Sequence, residues 1–187
     1  MLDQLRPALI LTVLFTLLTG FAYPLAITGV AQLAFPAQAN GSLVTRDGTV
    51  MGSTLVGQNF STPRYFWPRP SATGPAPYNG AASTGSNLGP TSAALARRVA
   101  ESIRRLGVSG EIPADAVTTS GSGLDPDISP QNAMTQVARV ATARHLPAGT
   151  VARLVRSMTR EAFVGIFGED RVNVLALNLA LDKLSAR

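Results

Sequence analysis

An uncharged apolar run near the N-terminus, Pro7 to Phe35, constrains this chain more than any other feature. It reads PALILTVLFTLLTGFAYPLAITGVAQLAF and contains no acidic or basic residue. A helix needs about 20 mostly apolar residues to cross the roughly 30 Å hydrocarbon core of a bilayer, and this run is longer than that. We therefore predict one transmembrane helix, kinked where Pro24 removes a backbone hydrogen bond.

Hydroxyl side chains recur along one face of this predicted helix. Thr12, Thr16, Thr19 and Tyr23 follow one another at steps of four, three and four residues, which is the spacing of a single helical face. Two interpretations stay open. The stripe can face another protein helix, because lipid tails offer hydroxyls no partner, or each threonine can donate to a carbonyl of its own helix.

The residues flanking the run predict its fate and its orientation. Ala37-Gln38-Ala39 resembles a signal-peptide cleavage site, but the apolar run is about twice the length of a signal core, which favours a retained anchor. Arg6 and the terminal amine precede the run, and positive charge stays cytoplasmic. We expect a cytoplasmic tail at residues 1–6, a transmembrane helix and stalk at 7–35, and an exterior domain at 36–187.

Composition excludes several classes of function. Charged residues make up 14% of the chain, and the net charge of +5 is spread over single arginines and pairs such as Arg97-Arg98 rather than a basic block. This pattern is typical of solvated helix faces, so we expect no nucleic-acid partner. The chain contains no cysteine, which excludes disulfides and thiolate metal sites.

The first part of the exterior domain is predicted to contain short strands and a long loop. Asp47-Gly48 lies between two short apolar pairs, Leu43-Val44 and Val50-Met51, which indicates a hairpin. A further strand is predicted at 55–60. Six prolines and four glycines between residues 61 and 90 exclude a long regular element there. Its aromatic triplet at 65–67 is expected either to fill the core or to form a contact surface.

Four helices are predicted in the rest of the domain. The first begins at Thr91 or Ser92 and ends at Gly107, and the second begins at Ser129-Pro130, each with recognisable capping residues. The third and fourth are expected near 151–158 and 173–184. The apolar residues that we expect to be buried are Leu95, Val99, Ile103 and Leu106 in the first helix, Met134, Val137 and Ala141 in the second, and Val174, Leu177, Leu181 and Leu184 in the fourth. The fold class is therefore α+β, with one transmembrane helix and a mixed domain of about four helices and a small sheet.

No pattern in the sequence indicates catalysis or a resident metal. The phosphate-binding pattern of glycine, four residues and glycine-lysine-serine/threonine is absent. His145 is the only histidine, so a histidine-rich metal site is excluded, and its place before Pro147 is typical of a helix end. No spacing distinguishes a catalytic carboxylate pair.

Two local features remain as candidate binding sites. The small residues of the loop Thr119, Ser120, Gly121, Ser122 and Gly123 could turn their N–H groups toward an anion, although such runs are often plain loops. The second candidate is an acidic surface that could attract cations. It lies between Arg105 and Arg139, where the sequence contains no basic residue. Its members are Glu111, Asp115, Asp125 and Asp127.

Several long motifs, in order, resemble the C-subunit family of the bacterial Kdp potassium-transporting P-type ATPases. They cover almost the entire chain: LLTGFAYPLAITGVAQLAFPAQANGSLV, GSTLVGQNFSTPRYFWPRPSAT, YNGAASTGSNLGP, VTTSGSGLDPDISPQNA and RVNVLALNLALD. The resemblance implies a single-pass inner-membrane subunit, so the exterior domain predicted from the flanking charges is expected in the periplasm. It also implies two partners, a channel-like potassium-translocating subunit and a P-type ATPase subunit that hydrolyses the ATP, besides membrane lipid.

The same resemblance implies a role in assembly and in raising the pump's affinity for ATP, as a catalytic chaperone. Cytoplasmic ATP is separated by the membrane from a periplasmic domain, so we expect such an effect either to be transmitted through the membrane helix or to be a property of the isolated domain. No tightly bound cofactor is expected, and ATP only in the context of the complex. Two alternatives stay open: a nucleotide-binding module that uses the Ser120–Gly123 loop, and an anchored scaffold near the potassium entrance.

Overall fold

One long helix makes up most of the N-terminal part of the chain. A computed structural model describes residues 2–108 and 110–185. The helix follows a 3-10 turn at Leu2–Gln4 and consists of α1 at Leu5–Leu17, a π-helical turn at Leu18–Ala22 and α2 at Tyr23–Ala34. We call Leu5–Ala34 the membrane helix, because by length and composition it is able to cross a membrane. The π turn ends two residues before Pro24, where we predicted a kink, and such turns bend helices.

A short connection leads from the membrane helix to the predicted hairpin. It contains α3 at Pro36–Ala39, and the hairpin consists of β1 at Leu43–Arg46 and β2 at Thr49–Ser53. Asp47 and Gly48 have φ angles of 50° and 75°, the two successive left-handed residues that a tight hairpin turn requires. The hairpin prediction is confirmed.

The chain divides into two units, Met1–Val50 and Met51–Arg187. The second unit contains α4 at Ala93–Leu106, α5 at Ala114–Val117, β3 at Asp127–Ile128, α6 at Pro130–Arg144, α7 at Ala148–Met158, β4 at Thr159–Arg160, β5 at Arg171–Asn173 and α8 at Val174–Ser185. Four of these helices are long, as predicted. The fold class, one apolar N-terminal helix followed by a mixed α/β domain, is confirmed.

The core of the second unit lies between three helices and a small sheet. The strands are arranged β3-β5-β4 and all pairs are antiparallel, with Ile128 and Thr159 both opposite Val172. α6, α7 and α8 pack against this sheet and one another. Fully buried members of the core include Val140, Val151, Leu177 and Leu181, and each such side chain contributes about 1.5–3 kcal/mol relative to exposure.

The capping predictions are confirmed at both helices for which they were made. The Ser92 hydroxyl accepts from the Leu95 N–H, and Gly107 ends α4 in the left-handed conformation. The Ser129 hydroxyl accepts from the Asn132 N–H, and Pro130 occupies the first turn of α6. These residues satisfy backbone groups that the helix leaves unpaired at its ends.

Three details of the sequence-based prediction are wrong. Residues 55–60 form no strand, because the Gly57 N–H donates to the carbonyl of Leu124 instead of to a neighbouring strand. Met134 is exposed, since α6 turns Ala133 and Val137 toward the core. No residue of α4 is buried, and Ile103 is 38% exposed, because α4 packs chiefly on the short helix α5.

Candidate functional site

All four side chains of the hydroxyl stripe on the membrane helix are exposed. No residue of α1, the π turn or α2 is buried within the chain, so Thr12, Thr16, Thr19 and Tyr23 are all available to a partner. Thr19 donates its hydroxyl to the Phe15 carbonyl at 2.6 Å, which is the back-bonded alternative. The π turn bonds i to i+5 rather than i to i+4, so it changes the rotation between Thr16 and Tyr23.

The long loop between β2 and α4 is ordered by side-chain amides. The structure describes every residue from 61 to 90 and places no helix or strand among them, as predicted. Buried Gln136 accepts from the Trp67 N–H at 2.7 Å and donates to the Trp67 carbonyl at 3.1 Å. Asn178 pairs in the same way with Phe66, which is completely buried. The Phe66 ring therefore fills the core.

Two arginines approach the ring of Trp67. The guanidinium carbon of Arg139 lies 3.7 Å from the ring centroid and that of Arg105 lies 4.8 Å away, both within the range of cation–π attraction. Arg139 also donates to the carbonyls of Pro63 and Tyr65. Burial, together with the charge of Arg105, lowers the pKa of Arg139 to about 10, so the group remains charged at neutral pH. These contacts fasten the aromatic segment to α6.

An ion pair whose arginine is buried joins the same segment to α8. Arg144 lies 2.7 Å from an Asp182 carboxylate oxygen, donates from Nε to the Arg64 carbonyl at 2.6 Å, and stacks over Tyr65. The Tyr65 hydroxyl donates to the other Asp182 oxygen. Removing one partner of such a pair destabilises the fold, because the other charge then stays buried without a partner.

The candidate anion loop at 119–123 packs against the long loop. The Gly123 N–H donates to the Ser120 hydroxyl and the Leu124 N–H to the Ser122 hydroxyl. The Gly123 carbonyl accepts from the Ser71 hydroxyl at 2.7 Å, and the Ser122 carbonyl accepts from the Thr84 N–H. Two of the backbone donors in this region are therefore used inside the protein.

Glycine is required at position 123 and not at position 121. Gly123 is buried with φ at +68°, and a Cβ there would lie 2.8 Å from both the Thr73 methyl and the Thr84 carbonyl oxygen. Gly121 is exposed with nothing within 4 Å. The close approach of two loops, rather than an open anion nest, accounts for the small residue at 123.

Three of the four predicted acidic residues come together in one cleft. Asp115, Asp125 and Asp127 line an open cleft of about 590 Å³, while Glu111 is exposed elsewhere. The cleft also contains Glu169, Asp170, Arg69 and Arg171. Five acidic and two basic side chains leave it a formal charge of −3, so the structure groups the acidic residues more tightly than the sequence indicated.

Each of the three predicted acidic residues in the cleft already binds other residues of the protein. Asp115 accepts from the N–H and hydroxyl of Ser129 and from the Asn132 amide. Asp125 lies 3.0 Å from Arg69, and Asp127 lies 3.3 Å from Arg171. Among residues 2–108 and 110–185 there is no group of three metal-ligating side chains. The arrangement supports a diffuse attraction of cations rather than a coordination site.

Tyr78 connects the candidate loops. Its hydroxyl donates to the Arg69 carbonyl at 2.7 Å, and burial, reinforced by the charge of Asp125, raises its pKa. The tyrosine is therefore neutral at physiological pH and acts as a donor. Arg69 in turn donates to the Thr119 carbonyl as well as to Asp125, so this region is internally bonded.

His145 occupies the helix end that the sequence indicated. It ends α6 with φ at 55°, and its N–H donates to the Ala141 carbonyl. The side chain is exposed. Because a proton-transfer triad would need this histidine, its position as an exposed cap offers no support for such chemistry.

The buried polar residues that organise the long loop were not predicted from the sequence. Asn132, Gln136 and Arg144 all lie on the buried face of α6, and Asn178 lies on that of α8. The spacing of these residues could have indicated their burial, because residues 132, 136 and 144 differ by multiples of four and share a helical face with Val140. Buried polar groups require specific partners, but the sequence does not reveal that these are loop backbone groups.

Comparisons with known proteins agree with the geometry. Residues 5–183 match the sequence model of a family described as KdpC, the c chain of K+-transporting ATPase. A potassium-transporting ATPase KdpC subunit from Gemmatimonas aurantiaca is 60% identical, covering 100% of this chain and 96% of its own length. Subunits of the same name from Allorhizobium ampelinum and Methylobacterium nodulans are 58% and 56% identical, covering all of this chain and 99% and 100% of theirs. This chain therefore belongs to the KdpC family of potassium-transporting ATPase subunits.

Proposed function

We propose that this chain is an accessory, non-catalytic subunit that stabilises an ATP-driven potassium pump through contacts of its membrane helix. The observation that carries the proposal is the exposed hydroxyl stripe on a helix in which no residue is buried within the chain. Hydroxyls at such positions favour helix–helix association, since lipid tails cannot bond to them. The proposed partners are a channel-like potassium-translocating subunit and a P-type ATPase subunit.

The stripe is tested by co-purification of the assembled pump. Replacing Thr12, Thr16 and Thr19 together by leucine keeps the span apolar and removes the hydroxyls. We expect the yield of complex to fall to about a third or less of wild type, because several packing and hydrogen-bonding contacts are lost together. The matched control changes Ile10, Leu14 and Leu17, on the opposite face of the helix, to methionine. Equal recovery of the threonine variant and the control contradicts the proposal.

The second unit is proposed to lie in the periplasm, near the potassium entrance. Support comes from Arg6 before the apolar span and from the negatively charged cleft, which could raise the local cation concentration. Because the chain has no cysteine, a Thr142→Cys variant gives one exposed thiol on α6. In spheroplasts we expect a membrane-impermeant maleimide to label it as fully as in lysed cells. Labelling only after lysis places the unit in the cytoplasm.

We further propose that any effect on ATP affinity is transmitted to the ATPase subunit rather than made by direct binding. Support comes from the loop at 119–123, where serine hydroxyls already accept from the N–H groups of Gly123 and Leu124. A titration of the full chain in detergent with ATP, following the Gly121 and Gly123 amide resonances, separates the two cases. We expect no saturable shift. A saturable shift at these residues favours the alternative, a nucleotide-binding module.

A further inference from the structure

Four large apolar side chains project from the hairpin between β4 and β5. Phe163, Val164, Ile166 and Phe167 are 74%, 71%, 76% and 67% exposed. They occupy four of five consecutive positions, whereas the other exposed large apolar residues in the described part of the second unit are single positions on different elements. We call residues 163–167 the apolar tip. An exposed apolar cluster of this kind marks a surface that contacts another protein or a membrane.

The backbone of the apolar tip is well formed although its sequence is poorly suited to the turn. Phe163 and Phe167 exchange both backbone hydrogen bonds, at 2.9 and 3.0 Å. Val164 and Gly165 then have φ angles of 55° and 69°. Asn, Asp and Gly are the residues that usually occupy successive left-handed positions, and a β-branched residue there is an outlier. Valine at position 164 therefore disfavours the turn and supplies an exposed apolar side chain.

Charged residues of both signs surround the base of the tip and are absent from the tip itself. Arg160 and Glu161 precede it, and Glu169, Asp170 and Arg171 follow it. The Asp170 carboxylate accepts from the Ala162 N–H at 2.9 Å, which closes the base of the hairpin. An apolar end with a polar base is suited to the boundary between lipid tails and headgroups. Because the base has both signs of charge, insertion would depend on apolar burial rather than on attraction to anionic lipid.

We propose that the apolar tip inserts into the surface of the same lipid bilayer that holds the membrane helix. Residues 35–50 connect that helix to the second unit and, even fully extended, span at most about 55 Å. The second unit therefore remains tethered close to the bilayer surface. This tether keeps the effective concentration of lipid at the tip high, so that even weak insertion is populated. The inference rests only on the membrane helix spanning a bilayer and holds for either orientation of the chain.

Lipid-borne quenching of a probe on the tip tests this insertion. The full-length chain carrying Ile166→Cys is labelled with an environment-sensitive fluorophore and reconstituted in phosphatidylcholine vesicles that contain nitroxide-labelled lipid. We expect quenching about threefold stronger than for the same label on Thr142→Cys, because only the tip reaches the acyl boundary. The difference should persist between about 0.1 and 1 M salt, since it is not electrostatic. Equal quenching at the two positions overturns the proposal.

A second substitution separates insertion from folding. Val164→Asn suits the left-handed backbone and removes an apolar contact, so we expect Tm to stay equal or rise while quenching at position 166 falls to about half or less. Unchanged quenching contradicts the proposal. So does a probe that is free of lipid quenching in the chain alone and becomes shielded only when the other pump subunits are added, because a protein surface then covers the tip.

Discussion

Asn178 pairs with both backbone groups of Phe66: its side-chain oxygen accepts from the N–H at 2.8 Å, and its amide nitrogen donates to the carbonyl at 3.0 Å. The amide thus reproduces the pairing of a neighbouring strand for a residue in an irregular loop. Gln136 does the same for Trp67. Two adjacent loop residues are held by one amide from each of two core helices, and this is how a segment rich in proline and glycine acquires a fixed structure.

Replacing the Asn178 amide with a carboxylate should destabilise the second unit. Asn178→Asp keeps the shape and the acceptor but removes the donor, so the Phe66 carbonyl loses its partner and faces a buried charge. We expect a loss of about 3 kcal/mol, or roughly 10 °C in Tm. Fluorescence of Trp67, the only tryptophan, follows the unfolding. The control is Asn87→Asp at an exposed loop position, and equal Tm values for the two variants would contradict the assignment.

Two nearby glycines should respond differently to the same change. Gly123→Ala brings a Cβ within 2.8 Å of the Thr84 carbonyl oxygen at a left-handed φ, whereas Gly121→Ala meets nothing within 4 Å. We expect Gly123→Ala to cost about 1–3 kcal/mol and Gly121→Ala to change stability by less than about 0.5 kcal/mol. Chemical unfolding of the full chain in detergent measures both. A tolerated alanine at position 123 would remove the close packing of the two loops.

Neutralising one acidic side chain of the cleft without disturbing an ion pair tests the proposed attraction of cations. Glu169 lines the cleft and is exposed, so Glu169→Gln lowers the negative charge of the cleft and leaves the Arg69 and Arg171 pairs intact. We expect the pump's KM for potassium to rise about twofold at low ionic strength and to be unchanged in high salt, where the field is screened. Glu101→Gln on α4 is the control. No change in KM at either ionic strength speaks against a role for this charge.

Much of the fold could be predicted because its signals are local. The apolar run, the Asp47-Gly48 turn and the capping residues Ser92, Gly107 and Ser129 each act within a few residues of the element that they define. The sheet β3-β5-β4 was harder, since strands of two or three residues have no periodicity to detect. The strand expected at 55–60 failed because tertiary contacts, such as that of Gly57 with Leu124, override local preference.

The candidate sites were predictable as residues but not as geometry. The acidic residues Asp115, Asp125 and Asp127 were identified, yet only the structure places Arg69 and Arg171 beside two of them. The small residues at 119–123 were identified, and the structure shows which backbone groups they already use. Asn178 and Gln136 were missed altogether, because their partners are more than 60 residues away in the sequence.

Exchange of the membrane helix tests the central claim that this subunit acts through contacts of that helix. Residues 7–34 would be replaced by an unrelated apolar span of equal length, with residues 1–6, including Arg6, and all of 35–187 retained. We predict that the chain remains in the membrane but no longer co-purifies with the other pump subunits, and that potassium-stimulated ATP hydrolysis by the remaining complex falls. Full recovery of the complex with wild-type activity would contradict the claim.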